Sequence, residues 1–158
     1  MPNWCEGSIK VRGKRDKVKN FLINGVNRYY WNIETRTSEI VPKDDVVFVK
    51  EDEWGATEIE VRDAYIEGTR RAFIDNLYAY LDDEDVCVAG HFRQAWCIDG
   101  VDFDKLKDKW DVDFRLYGIE RGMEFAQEVI AERGKELEDE TFKYGDFIWE
   151  CPFPYMGG

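Results

Sequence analysis

The stretch WCEGSIKVRG, residues 4–13, decides the fold. Cys5, Gly7, Ile9 and Val11 share one parity, and Glu6, Ser8, Lys10 and Arg12 share the other. A period of two with one apolar side is the mark of a β-strand with a single face inward. Gly13 is read as its end. The next residues, KRDKVKNFLINGV (14–26), change period: Val18, Phe21, Leu22 and Val26 follow helical spacing. Asp16 is the expected N-cap and Gly25 the expected stop, which predicts a helix near 15–25.

Further along, VVFVK (46–50) reads as a short buried strand and EDEWG (51–55) as a turn, within a region, 27–57, of weak pattern. TEIEVRDAYI (57–66) alternates, with Ile59 and Val61 opposed to Glu58, Glu60 and Arg62. EGTRRAFI (67–74) reads as extended. NLYAYLDDEDVCVAG (76–90) reads as a hairpin with DDED at its tip, followed by another extended segment, HFRQAWCI. In DGVDFDKLKDKW (99–110), Phe103, Leu106 and Trp110 line one helix face behind an Asp-rich start that suits the helix dipole. DVDFRLYGI returns to period two, and MEFAQEVIAERGKELEDETF (123–142) reads as a hairpin turning at Arg133-Gly134. The tail FIWEC (147–151) places Phe147, Trp149 and Cys151 on one parity, a last strand stopped by Pro152 and Pro154. Trp4, Cys5, Trp96 and Trp149 are expected to be buried.

This order predicts one α+β domain over residues 1–158. The expected form is a ferredoxin-like antiparallel sheet with two helices on one face and extra C-terminal strands. The length suffices for a core without staples, and 44% hydrophobic residues argue for a globule. No apolar run approaches the ~20 residues of a membrane span. No basic segment with an apolar stretch opens the chain, so a cytoplasmic protein is expected.

The net charge of −12 is uneven. Residues 1–30 hold seven Lys/Arg against Glu6 and Asp16, a net +5, which leaves −17 for the other 128 residues. An acidic body repels phosphates and argues against direct nucleic-acid binding; it suits a partner with a basic surface. The acidic stretches are Glu51, Asp52 and Glu53; Asp82, Asp83, Glu84 and Asp85; and Glu136, Glu138, Asp139 and Glu140. They are the expected partner contacts, although each also reads as an ordinary solvated loop. The basic cluster from Lys10 to Lys19 straddles the first strand–helix junction and reads as a solvated face or an anion contact.

Catalytic chemistry finds little support. His91 is the single histidine, and any Ser-His-Asp or Cys-His arrangement would have to use it. No phosphate loop, GxGxxG or HExxH occurs. No catalytic residue and no cofactor are therefore expected. Zinc is the one metal to weigh, with Cys5, Cys87, His91, Cys97 and Cys151 as the only soft ligands. The chain has no CxxC, and Cys87-x3-His91-x5-Cys97 is not a finger spacing. Along a strand Cys87 and His91 would stand about 13 Å apart, too far for one ion without a bend at Gly90. Cys5 and Cys151 are the better pair, on terminal segments expected to meet. Buried structural thiols are the plainer reading.

Several segments resemble a family of small phage, plasmid and integrative-element proteins of the YubB-like kind. The opening MPNWCEGSIKVRG carries the first likeness. The second lies in FRQAWCIDGVDFDKLKDKWDVDFRLYGIERGMEF (92–125), where Ala95, Trp96, Tyr117, Glu120, Gly122 and Phe125 match the family's pattern. The ending WECPFPYMGG resembles a Gram-positive branch. Where that family often has a proline soon after Ala-Trp, this chain has Cys97-Ile98-Asp99. The resemblance implies a ferredoxin-like fold and a mobile-element origin, with no catalytic residue. Such proteins sit among accessory genes where counter-defence concentrates. The expectation is therefore a stoichiometric inhibitor of a host defence complex: an anti-CRISPR that blocks a nucleic-acid-binding effector nuclease in the host cytoplasm. A non-inhibitory structural or interaction module of the element, with or without a structural zinc, is the alternative.

Overall fold

The computed structural model describes residues 3–32, 34–35, 37–41 and 45–158. Met1 and Pro2 of the MPNWC opening lie outside the described residues. In chain order the elements are β1 (Trp4–Lys14), α1 (Arg15–Asn24), β2 (Val26–Asn32), β3 (Thr37–Val41), β4 (Val47–Glu51), β5 (Thr57–Ile66), β6 (Ala72–Leu81) and β7 (Asp85–Ala95). They continue with α2 (Gly100–Trp110), β8 (Asp113–Glu120), β9 (Phe125–Ala131), β10 (Glu138–Lys143) and α3 (Phe147–Glu150).

The strands form one antiparallel sheet in the order β10-β9-β8-β1-β7-β6-β5-β2-β3, and β4 pairs with the free end of β5. β1 lies at its centre, antiparallel to β7 and β8, with Cys5 opposite Gln94 and Glu120. Cys5, Ile9 and Val11 are fully buried, as their parity requires. α1 and α2 pack on that face. Phe21 of α1 and Phe103 of α2 both meet Phe114 edge-on, at 5.1 and 5.5 Å between ring centres. Offset and edge contacts of this kind favour the ring quadrupoles. The opposite face of the central strands carries Ser8, Lys10, Arg12, Cys87 and His91 and has no helix over its middle.

Among the described residues a ten-stranded sheet with three short helices replaces the expected ferredoxin-like α+β fold. The difference comes from the middle of the chain. β2, β3, β4 and β5 extend the sheet beyond the β6–β7 hairpin, so the molecule is dominated by its sheet. β4 itself is largely exposed rather than buried, though Val46 before it is in the core.

Local corrections have local causes. The N-cap of α1 is Lys14, not Asp16, and no side chain caps it. FIWEC is not a strand. Asp146 caps a four-residue helix, its side chain accepting from the Trp149 N–H at 3.2 Å. The helix turns only Phe147 inward, with Cys151 buried just beyond it, and leaves Trp149 86% exposed. Trp96 is likewise 54% exposed, at a positive φ of 72°. That conformation ends β7 and turns the indole out of the sheet. Trp4 is only half-buried, and faces away from the helices between the guanidinium groups of Arg71 and Arg93.

Candidate functional site

The register of the sheet brings two of the three acidic stretches together. Thr57, just after the β4–β5 turn, is opposite Leu81, just before the β6–β7 tip. Glu51–Glu53 and Asp82–Asp85 therefore rim the same end of the sheet. Tyr80 locks them, donating its hydroxyl hydrogen to Asp52 Oδ2 at 2.8 Å. That bond holds the Asp52 carboxyl below its ordinary range and raises the Tyr80 hydroxyl. Asp52 also accepts from the Trp54 and Ala56 N–H groups, each at 2.9 Å, which closes the turn.

The basic cluster meets this rim. Lys14 pairs with Glu84 at 3.0 Å and Asp85 at 3.1 Å, and both hydrogen bonds raise its pKa. Lys19 reaches Glu51 at 2.8 Å and lowers that carboxyl. Arg15 donates to the Asp82 carbonyl at 3.3 Å. A hollow of about 460 Å³ lies between the start of α1 and the β6–β7 tip, lined by Lys14, Arg15, Asp16, Lys17, Asp82 and Glu84. Glu53, Asp82 and Asp83 carry no ion pair among the described residues, so they are the carboxylates of this rim open to a partner.

The third stretch lies elsewhere. β10 is separated from β6 by β9, β8, β1 and β7, which at the usual strand spacing is roughly 24 Å. Its residues also divide. Glu138 and Glu140 share one parity on an exposed edge strand. Asp139 is engaged toward α2, accepting from Gln127 Nε2 at 2.7 Å. One contiguous surface cannot use all three stretches.

The zinc candidates are dispersed. Cys5 is on the helix-covered face, and burial pushes its thiol up to about 12, with Cys97 and Glu120 adding repulsion. Cys151 is buried in a separate small cluster with Ile119, Ala126 and Phe147. Ile119 is one residue from Glu120, the partner of Cys5, and so points to the other side of the sheet. Cys5 and Cys151 therefore do not meet. Cys87 and His91 are exposed, four residues apart on a straight strand, opposite Arg12 and Ser8. Cys97 lies against Arg70, whose Nη2 is 3.4 Å from its sulfur. Among the described residues no three His, Cys, Asp or Glu side chains converge as metal ligands.

Sequence reasoning missed two features. The lysines that neutralise part of the acidic rim come from the other end of the charge map, and only the β1–α1 junction brings them there. The exposed aromatics Trp54, Trp96, Trp149 and Tyr155 were hidden because aromatic content reads as core until the backbone is known. No helix among the described residues is long and apolar enough to cross a membrane. No protein-family model, curated protein or solved structure matches this chain.

Proposed function

We propose that this chain acts without turnover, as a mobile-element accessory protein that binds the basic surface of a host nucleic-acid-handling protein and blocks it. The specific form is an anti-CRISPR acting on an effector nuclease in the host cytoplasm. The observation that carries this reading is the joining of Glu51–Glu53 and Asp82–Asp85 into one rim, in which Glu53, Asp82 and Asp83 have no ion pair among the described residues. Such a rim complements a channel that otherwise holds phosphates, and charge complementarity both speeds encounter and fixes orientation. The net charge of −12 adds a long-range attraction toward a basic partner. The mobile-element origin comes from the sequence resemblance alone.

The test is a cleavage assay with purified effector nucleases and rising amounts of the chain. Inhibition should saturate near one chain per effector. The variant Glu53→Lys/Asp82→Lys/Asp83→Lys should require roughly tenfold more protein, as rim charges act mainly on association. Glu138→Lys/Glu140→Lys, on the distant edge strand, should inhibit like the wild type. If the wild type in molar excess changes neither cleavage nor DNA binding, the inhibitor reading fails and the non-inhibitory interaction module takes its place.

A further inference from the structure

On the helix-free face of the sheet, next to the acidic rim, three aromatic side chains stand in the open. Phe48 of β4 is 40% exposed, and Tyr78 and Tyr80 of β6 are 59% and 46% exposed. At the other end of this face Tyr29, Tyr65 and Phe73 cover one another, at 5.4, 5.6 and 5.8 Å between ring centres. Phe48, Tyr78 and Tyr80 touch no other ring among the described residues. A sheet face that meets only water is served by smaller polar side chains, and clustered exposed aromatics mark a contact surface.

The register interleaves these rings with carboxylates. Glu60 of β5 lies between Phe48 and Tyr78, and Glu58 lies between Lys50 and Tyr80. The first of these two rungs already holds a guanidinium, the chain's own. Arg62 stands over the Phe48 ring at 5.2 Å and gives its Nε and Nη2 to Glu60, at 2.7 and 2.6 Å. The second rung has the same parts, an exposed ring beside a carboxylate, and no arginine. Glu58 forms no ion pair among the described residues, not even with Lys50 opposite it. The Tyr80 hydroxyl is raised first by its bond to Asp52, and the charges of Asp82 and Glu58 add to this, so three carboxylates surround one ring. Arg15 reaches Asp82 only at its carbonyl. On this face Asp52, Glu58, Glu60 and Asp82 thus outnumber Lys50 and Arg62, and Arg62 is already taken by Glu60.

We infer that the second rung docks an arginine side chain of a basic protein partner, its guanidinium stacked on Tyr80 and held by Glu58, with Tyr78 flanking it. Directly opposed side chains on paired strands stand about 5 Å apart. The Tyr80 ring and the Glu58 carboxylate therefore reach one guanidinium, as Phe48 and Glu60 reach that of Arg62. The bond to Asp52 fixes Tyr80 beforehand, which lowers the ordering cost of binding. Arginine fits this pair of groups better than lysine does. Its planar head stacks on a ring while its edge forks onto a carboxylate, and an ammonium offers neither plane nor fork. The inference rests on the reading of a basic partner and deepens it: contact extends from the rim onto the sheet face, and the side chain recognised there is arginine.

The test is an NMR amide titration of the full chain at low ionic strength, with end-blocked tetra-arginine and tetra-lysine peptides of equal charge. Saturable shifts centred on Glu58, Tyr78 and Tyr80 are expected with tetra-arginine. Tetra-lysine should bind at least about fivefold more weakly, because only the guanidinium stacks as well as pairs. Glu58→Gln keeps the shape of the side chain and should weaken tetra-arginine binding about tenfold, as loss of a charged hydrogen-bond acceptor does. Tyr80→Leu should erase the preference for arginine. Three results would overturn the inference: equal binding of the two peptides by the wild type, Glu58→Gln binding like the wild type, or shifts centred on the acidic β10 edge. The peptides need no nuclease, so the two proposals fail separately. A wild type that prefers tetra-arginine on this face yet blocks no effector would leave the arginine site standing and remove the inhibitor. A wild type that blocks an effector but treats the peptides alike would do the opposite.

Discussion

Asp113 shows how one side chain can tie several elements together. Burial alone would raise its pKa, but the Arg133 side chain and N–H and the Arg12 guanidinium outweigh that and hold it at about 2. The distances are 2.9 Å from Arg133 Nε, 3.0 Å from the Arg133 N–H and 3.1 Å from Arg12 Nε. Its carboxylate therefore fastens β1 and the β9–β10 turn to the start of β8. A carboxyl whose folded pKa lies below its unfolded value contributes stability that is complete above the unfolded value and is lost as pH falls through the folded one. The window runs from the ordinary aspartate value of about 3.9 down to about 2, and the contribution is roughly 1–2 kcal/mol after allowance for solvent screening. Urea unfolding of the wild type should steepen its loss of stability across that window. Asp113→Asn should start less stable at neutral pH and lose less on acidification. Parallel acid limbs for the two proteins would show that Asp113 is not the group responsible.

At the scale of elements, α3 shows what periodicity leaves open. In FIWEC, Phe147 and Cys151 stand four residues apart, which fits both the two-residue period of a strand and the i,i+4 spacing of a helix, so a strand and a helical turn bury the same pair. The choice rests on Asp146, whose side chain caps the turn, and on Trp149, which only the strand would bury. The structure predicts that Phe147→Ala costs roughly 2–4 kcal/mol, because it opens the small cluster over Ile119 and Ala126. Trp149→Ala, on the exposed side, should change stability by less than about 0.5 kcal/mol. Chemical denaturation of the two variants separates these cases, and similar losses would restore the strand reading. Elsewhere the pattern was easier to read. β1 and the outer half of β6 bury alternate residues, the β9–β10 hairpin shows in its Arg133-Gly134 turn although β10 is exposed throughout, and α1 and α2 show one apolar stripe each. What stayed hidden was tertiary. Trp96 needs a left-handed backbone that no tryptophan advertises, and the strands β2 to β5 widen the sheet through pairings between distant residues. The acidic tips were legible as exposed loops. Their meeting through Tyr80, and the lysines set against them, were not.

For the whole molecule, the charge map poses a contest that magnitudes decide. The end of the sheet near Lys14 holds exposed ion pairs: Lys14 with Glu84 and Asp85, Lys17 with Asp111, and Lys19 with Glu51. Exposed pairs of this kind contribute about 0–1 kcal/mol each, and salt weakens them. Against them stands the self-repulsion of a net −12, which acts across the whole compact state and is also weakened by salt. The Debye length falls from about 30 Å at 0.01 M to about 8 Å at 0.15 M. Over that range the long-range repulsion is cut most, since its charges lie far apart, while pairs at about 3 Å are screened least. Added salt should therefore stabilise the fold. A rise in Tm of roughly 2–4 °C between those two ionic strengths corresponds to about 1 kcal/mol for a domain of this size. Calorimetry at neutral pH with sodium chloride reads it directly. Glu53→Lys/Asp82→Lys/Asp83→Lys reduces the net charge by six and should blunt the rise, because less repulsion remains to be screened. A Tm that falls with salt would mean that the ion pairs around α1 outweigh the net charge.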